Sequence, residues 1–366
     1  AELYDPASNA FTATGAMTQV RDLHTSTLLP NGRVLVAGGY TTNAVSTGAM
    51  SGAEIYYPDT GVWRPTEAMP FAANNHTATL LPDGSVLVAG GYSNGAYLNS
   101  AAIYYSTSAR WSSLSDMPVR RALHTATLLQ DGRVLFVGGL NETGVLCTSM
   151  LYDRNASGGT APWVTGPPLN LSACRPTHSH SATLLKGGRV LVVGGNDGFG
   201  ETDLSVLYLP SAGGIGSWQT TSANGNTIGT KRFNHSAMLL PTGVVMIAGG
   251  AQALGNSIAH VETFDVAISS WQSTGPLSTV RANMSLTLLP NGMVTAIGGF
   301  NGLTMEISSE RNYFTYSPDS VSLGVPANVR QSSITRVDMN PFREGSYVTL
   351  TGTHFLGIGE ASGGAG

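Results

Sequence analysis

The chain has 366 residues, including 46 Gly and 18 Pro, with 11% charged side chains and a formal net charge of −4. That charge excludes a sequence-independent nucleic-acid binder, which needs a Lys/Arg surface, and no apolar run is long enough for a membrane-spanning helix. With 42% apolar residues and few charges the chain can bury a large core, and its Ser, Thr and Asn polarity suits an extracellular all-β protein.

The N-terminus begins with strands. Residues 1–17, AELYDPASNAFTATGAM, match AEIYYPDTGVWRPTEAM at 53–69 almost position for position. The chain thus opens on the last two strands of a repeat, with Phe11 where the later copies carry tryptophan. It starts at Ala1 with no initiator Met and no apolar leader. The expectation is a removed targeting segment or a longer parent chain.

HTSTLLPNGRVLVAGG at 24–39 comes next and returns at 76–91, 124–139, 180–195, 235–250 and 284–299. The closing glycines, Gly39, Gly91, Gly139, Gly195, Gly250 and Gly299, stand 48 to 56 residues apart. A fixed period of this size marks a repeat architecture. Each copy reads as a β-hairpin around Asn31-Gly32, Asp83-Gly84, Asp131-Gly132, Gly187-Gly188, Thr242-Gly243 or Asn291-Gly292. Turns of that type need positive φ and match the twist of paired strands. Continuously apolar second strands such as Val134-Leu135-Phe136 are expected to be buried on both faces.

A variable loop follows each Gly-Gly, then a third strand such as Ala101-Ala102-Ile103-Tyr104-Tyr105 and a fourth marked by Trp63, Trp111, Trp163, Trp218 or Trp271. All five tryptophans of the chain occupy this one repeat position, as packing between neighbouring sheets requires. Near the end, Arg311–Tyr316 reads as a further third strand. Beyond Pro326 the pattern changes to two strands of another kind, Ser333–Val337 and Gly345–Gly352, before a glycine-rich terminus.

Four strands per unit, a Gly-Gly closing the second, then Tyr and Trp, resemble the kelch repeat, over residues 1 to about 316. The resemblance implies an all-β, six-bladed β-propeller, with seven blades as the alternative. In the six-bladed reading the N-terminal pair completes the last blade, beside hairpin 284–299. The expected domains are a propeller over 1–316, a linker over 317–332, and a partial immunoglobulin-like module or tail over 333–366. The LLPDGxVLVAGG wording resembles secreted bacterial kelch proteins related to the central domain of galactose oxidase.

That relationship implies a copper radical oxidase as one function. The family's copper site uses a Tyr cross-linked to Cys, a Tyr-His pair and a C-terminal His. Here the late hairpins carry Asn234-His235 and Asn283-Met284, no Tyr-His dipeptide occurs, and His354 falls early for the last ligand. His24, His76, His124, His180 and His235 all open first strands. They are expected to bond a neighbouring blade's backbone rather than a metal, since a ring spreads them too far apart for one ion.

Arg21, Arg121, Arg232 and Arg281 each precede a first strand by three residues. They are the candidate ligand-binding residues, as guanidinium forks converging on a channel mouth suit carboxylate or sulfate. Kelch propellers such as sialic acid mutarotases are the enzyme class similar in this respect, and capping of a loop by each Arg is the structural alternative. Asp197, Glu201 and Asp203 share one loop and form a weak calcium candidate, without EF-hand spacing. Cys147 and Cys174 leave open one disulfide, which suits an oxidising compartment, or two free thiols.

The variable loops Tyr40–Gly52 and Gln252–Ile258 and the insert Ala156–Pro168 differ from blade to blade, so recognition is expected there. The functional expectation is a secreted or cell-surface non-catalytic module, with the periplasm as the alternative location, that binds an extracellular protein or glycan. No cofactor is expected, with copper or calcium as the alternatives.

Overall fold

In the computed structural model, residues 1–301 are described apart from 43–46, 157–160, 170–174, 222–226 and 253–255. Three further strands are described, Phe314–Tyr316, Ser333–Asp338 and Thr349–Thr353. The expected linker 317–332, the terminus beyond Thr353 and Cys174 lie outside the described residues.

The repeats form antiparallel sheets, one per Gly-Gly hairpin. Blade 1 consists of Thr25–Leu28, Val34–Ala37, Ala53–Tyr57 and Val62–Pro65, paired in that order. Blade 2 (Thr77–Leu80, Val86–Ala89, Ala101–Tyr105, Arg110–Ser113) and blade 3 (Thr125–Leu128, Val134–Val137, Ser149–Tyr152, Trp163–Thr165) repeat the pattern. So do blade 4 (Ser181–Leu184, Val190–Val193, Ser205–Leu209, Ser217–Thr220) and blade 5 (Ser236–Leu239, Val244–Ala248, Val261–Asp265, Ser270–Thr274). In blade 6, Ser285–Leu288 and Val294–Ile297 are joined by Phe314–Tyr316.

This last pairing departs from the expected closure. Val294–Ile297 takes its third strand from its own repeat, while Glu2–Asp5 and Ala10–Ala13 form a separate two-stranded sheet. Only 16 residues of sequence separate Ile297 from Phe314, so closing that span costs less chain entropy than bringing in the N-terminus. The N-terminal pair docks on blade 1 instead, where Gly15 N–H donates to Gly61 O at 2.9 Å. Ser333–Asp338 and Thr349–Thr353 pair with each other, with a register shift between Ile334 and Arg336.

The core is a series of apolar layers between successive blades, built by the second strands. Along Val86–Ala89, Val86 and Val88 pack towards blade 1 with Leu35 and Ile55, while Leu87 and Ala89 pack towards blade 3 with Phe136 and Met150. Val134–Val137 divides in the same way, Phe136 towards blade 2 and Leu135 and Val137 towards blade 4. A period of two with neighbours on both faces makes each such run continuously apolar. Each buried Val or Leu contributes roughly 1.5–3 kcal/mol.

The aromatics stitch the outer halves. Tyr104 and Trp111 meet at a tilt with centroids 5.0 Å apart, and Tyr208 and Trp218 meet edge-on at 5.2 Å. Trp111 Nε1 donates to Glu67 O, Trp163 Nε1 to Ser115 O and Trp218 Nε1 to Pro167 O, each on the preceding blade's exit loop. The tryptophans pack blade on blade, as their recurrence predicts.

A second stitch runs at the inner edge and uses main chain alone. The residue before each first-strand His or Met has positive φ: Leu23, Asn75, Leu123, Ser179, Asn234 and Asn283 lie between 50° and 56°. Their backbones bond in series, from Asn75 N–H to Leu23 O, Leu123 to Asn75, Ser179 to Leu123, Asn234 to Ser179 and Asn283 to Asn234, at 2.9–3.3 Å.

Candidate ligand-binding face

The antiparallel order places the start of the first strand, the Gly-Gly, the variable loop and the fourth-strand exit at one end of every blade. The opposite end carries the Gly turns and the third-to-fourth-strand connections, four residues long in blades 1, 2 and 5 but ten in blade 3, where the Ala156–Pro168 insert begins. At the loop end, the residue after each Gly-Gly bridges the lead-in segment of its own blade: Tyr40 to Asp22, Tyr92 to Asn74, Leu140 to Ala122, Asn196 to His178, Ala251 to Phe233 and Phe300 to Ala282. Tyr92 and Tyr97 face each other edge-on at 5.1 Å across a two-stranded ribbon.

The four arginines lie at this end but are not open to a ligand. Arg21 is 8% exposed, Arg281 3%, and Arg121 and Arg232 0%. Each donates Nη1 to the carbonyl of the first glycine of its own blade's pair: Arg21 to Gly38, Arg121 to Gly138, Arg232 to Gly249 and Arg281 to Gly298, at 2.8–3.0 Å. In blade 4 the hydroxyl of Thr177 makes the same bond to Gly194 O at 3.0 Å. The expected channel-mouth anion site is thereby corrected, because the forks are consumed by backbone carbonyls that would otherwise be buried unpaired. The second glycine completes the device. Gly91 N–H donates to Arg121 O, Gly195 to Arg232 O and Gly250 to Arg281 O at 2.8–2.9 Å, each on the following blade.

Two of these arginines are neutralised in place. Arg21 Nη2 meets Glu54 Oε1 at 2.7 Å, and Arg232 pairs with Glu262. Each carboxylate also accepts a lead-in N–H, from Thr18 at 2.7 Å and from Gly229 at 2.6 Å. Arg121 has Met150 at the equivalent third-strand position. Among the described residues its side chain bonds Gly138 O and Thr148, and burial pulls it down to about 10.

The histidines are structural, with one correction. They bond a hydroxyl of the preceding blade's first strand rather than its backbone: His76 to Thr25, His124 to Thr77, His180 to Thr125 and His235 to Ser181, at 2.8–3.0 Å. Burial lowers all four, His76 to about 4 and His180 to about 3. Neutral imidazoles serve as the bonds between blades.

Two of the three calcium candidates are engaged within the protein. Asp197 Oδ1 accepts the N–H groups of Phe199 and Gly200 at 2.9 and 3.0 Å, and Asp203 meets Arg175 at 3.3 Å. Among the described residues no three His, Cys, Asp or Glu side chains gather as a metal site. Cys147 is disulfide-bonded and packs beside the layer between blades 3 and 4. Its only possible mate in the chain by count, Cys174, lies outside the described residues.

That acidic loop builds something else. Asn196 Oδ1 accepts Gly198 N–H at 2.8 Å, and Asp197 closes the turn. The tight turn holds Phe199 wholly in solvent. Beneath it lies an open cavity of 310 Å³ lined by Asn196, Phe199, Glu201, Phe233 and Gln252, between blades 4 and 5. An exposed large aromatic on a rigid turn is an informative departure from ordinary surface chemistry. The sequence shows the loop; that its acids serve to present a phenyl ring is visible only in three dimensions.

Comparison with known families agrees with this geometry. No curated protein matches the chain. The KLHDC2/KLHL20/DRC7 Kelch-repeats domain matches residues 23–250, from the first hairpin to the Gly-Gly of blade 5. With more than half its length so matched, and Gly-Gly hairpins, aromatic outer strands and blade-to-blade packing in place, the chain belongs to the kelch-repeat family.

Proposed function

We infer that the protein is a non-catalytic binding module that docks a protein partner on its loop face, at the cavity around Phe199 and Phe233. The observation that carries this reading is Phe199, fully exposed yet fixed by its turn. A ring held out in that way is preorganised for burial by a partner, and covering it contributes roughly 1.5–3 kcal/mol. The kelch-repeat fold supports a protein partner. A position outside the cell is supported by the disulfide at Cys147, since such bonds persist in oxidising compartments. The resemblance of the hairpins to secreted bacterial kelch proteins points the same way.

The test is selection from a displayed peptide library, with a glycan array in parallel, against the wild type and Phe199→Ala. Selected peptides are expected to lose 10-fold or more in affinity with Phe199→Ala, at unchanged thermal stability. Ligands that bind both forms equally would refute the reading, and glycans alone enriched at this cavity would replace the protein partner.

A further inference from the structure

The cavity beside Phe199 has two walls, and main-chain bonds fix both. On blade 4, Asn196 and Glu201 pair across the turn that carries Phe199, and Thr202 N–H donates to Gly195 O at 2.8 Å. On blade 5, Phe233 is bridged to Ala251, and Gln252 Nε2 donates to Lys231 O at 3.1 Å. Gly195 N–H to Arg232 O at 2.8 Å, and Asn234 N–H to Ser179 O at 2.9 Å, tie one wall to the other. Two phenylalanines, Glu201 and the amide residues Asn196 and Gln252 therefore line a single space. Its 310 Å³ stands at the small end of ligand cavities, roughly 300–1,000 Å³. That size suits one long side chain rather than a broad surface.

The chemistry of this lining discriminates between side chains. An apolar occupant would cover Glu201 with nothing to pair its charge. An acidic occupant would meet Glu201 and Asp197 as like charges, and the negative faces of two phenyl rings as well. Among the described residues at the loop end of blades 4 and 5, the basic side chains do not offset these acids. Arg175 meets Asp203 at 3.3 Å and Arg232 is buried against Glu262, which leaves exposed Lys231 as one charge to the two of Asp197 and Glu201. A guanidinium answers both features of the lining. Its planar face lies on a phenyl ring, its N–H fork reaches a carboxylate, and it sheds water more readily than an ammonium.

We propose that the cavity takes an arginine side chain of the partner, held by the rings of Phe199 and Phe233 with Glu201 as its counter-ion. This rests on the docking reading above and specifies the segment that docks, an exposed stretch of polypeptide that presents arginine. Both walls are set before the partner arrives, so little ordering opposes its entry.

The probe is N-acetyl-arginine N-methylamide, titrated into the full chain and followed by saturation-transfer NMR, beside its leucine and glutamate analogues and methyl β-galactoside. The arginine probe is expected to bind saturably, about 10-fold more tightly than the others, and to weaken as NaCl rises from about 20 mM to about 0.5 M. Glu201→Gln, which keeps the shape of the side chain, is expected to cost about 10-fold and to remove most of the salt dependence. Lys231→Ala, which removes the competing cation, is expected to tighten binding. Equal binding of all the probes, or an arginine affinity indifferent to Glu201→Gln, overturns the proposal. Selected peptides that depend on Phe199, carry no arginine and bind Glu201→Gln as they bind the wild type would overturn it while leaving the docking reading in place. Absence of any ligand that depends on Phe199 would remove both.

Discussion

Mild acid should destabilise this protein through its buried histidines. His76 titrates at about 4 and His180 at about 3 in the folded chain, against 6.5 when free. Because the folded values are depressed, the unfolded chain binds more protons as pH falls below 6.5. The stabilisation is complete above that pH and is lost as pH drops towards the folded values. At pH 5 each of these two histidines withdraws about 2 kcal/mol relative to pH 7.5, about 4 kcal/mol together. His124 and His235 shift in the same direction. Against a typical total of about 5–15 kcal/mol, this is a large share. Asp83 and Asp131, held below the ordinary carboxylate range, stay charged through the window. Urea titrations followed by circular dichroism at pH 7.5 and 5.0 measure the loss. His180→Met, which places in blade 4 the Met that blade 6 carries at position 284, should reduce the pH-dependent part by about 2 kcal/mol. Stability that changes by less than about 1 kcal/mol between the two pH values, or a His180→Met protein as acid-sensitive as its parent, would refute the reasoning.

Two substitutions test the stitching between blades. A methyl group on Gly91, where φ is 105°, would lie 2.6 Å from Asn74 O and 2.9 Å from His76 Cβ. Gly91→Ala should therefore cost more than about 3 kcal/mol in urea unfolding, while Gly95→Ala, at positive φ but in open space, should cost about 1 kcal/mol. At the inner ring, Leu123 holds a φ of 56° that Asn tolerates better, and Asn fills the same position at 75, 234 and 283. Leu123→Asn should raise stability by about 0.5–1 kcal/mol, read as a higher urea midpoint at constant slope.

The blade itself was legible because its signals are local. Gly turns, Gly-Gly ends and doubly buried second strands all follow from residues within fifty positions of one another. What the sequence concealed was each side chain's direction. Four arginines at one repeat position look equally like a ligand clamp or a structural bolt. The discriminating clue was spacing, since each stands 17 residues before the glycine whose carbonyl it holds, and so does Thr177 before Gly194. Residues that recognise ligands sit on loops whose lengths vary, and these do not. The pairing of the N-terminal strands was hidden for a different reason. Matching 1–17 to 53–69 identifies an outer pair but carries no information on which inner pair it joins, because all six hairpins are nearly alike. The positive φ of Leu23 and Leu123 gave no warning in residues that rarely adopt it.

The arginine relay has a consequence for how the molecule comes apart. Arg121 accepts from Gly91 of one blade with its carbonyl and grips Gly138 of the next with its side chain; Arg232 and Arg281 do likewise further round. Separating two such blades cuts the bond from the second glycine of one to the arginine carbonyl of the other and opens the apolar layer they share to water. Where solenoid repeats can fray from an end in steps, this architecture favours collective loss, so partly unravelled forms should be scarce even when the folded population is small.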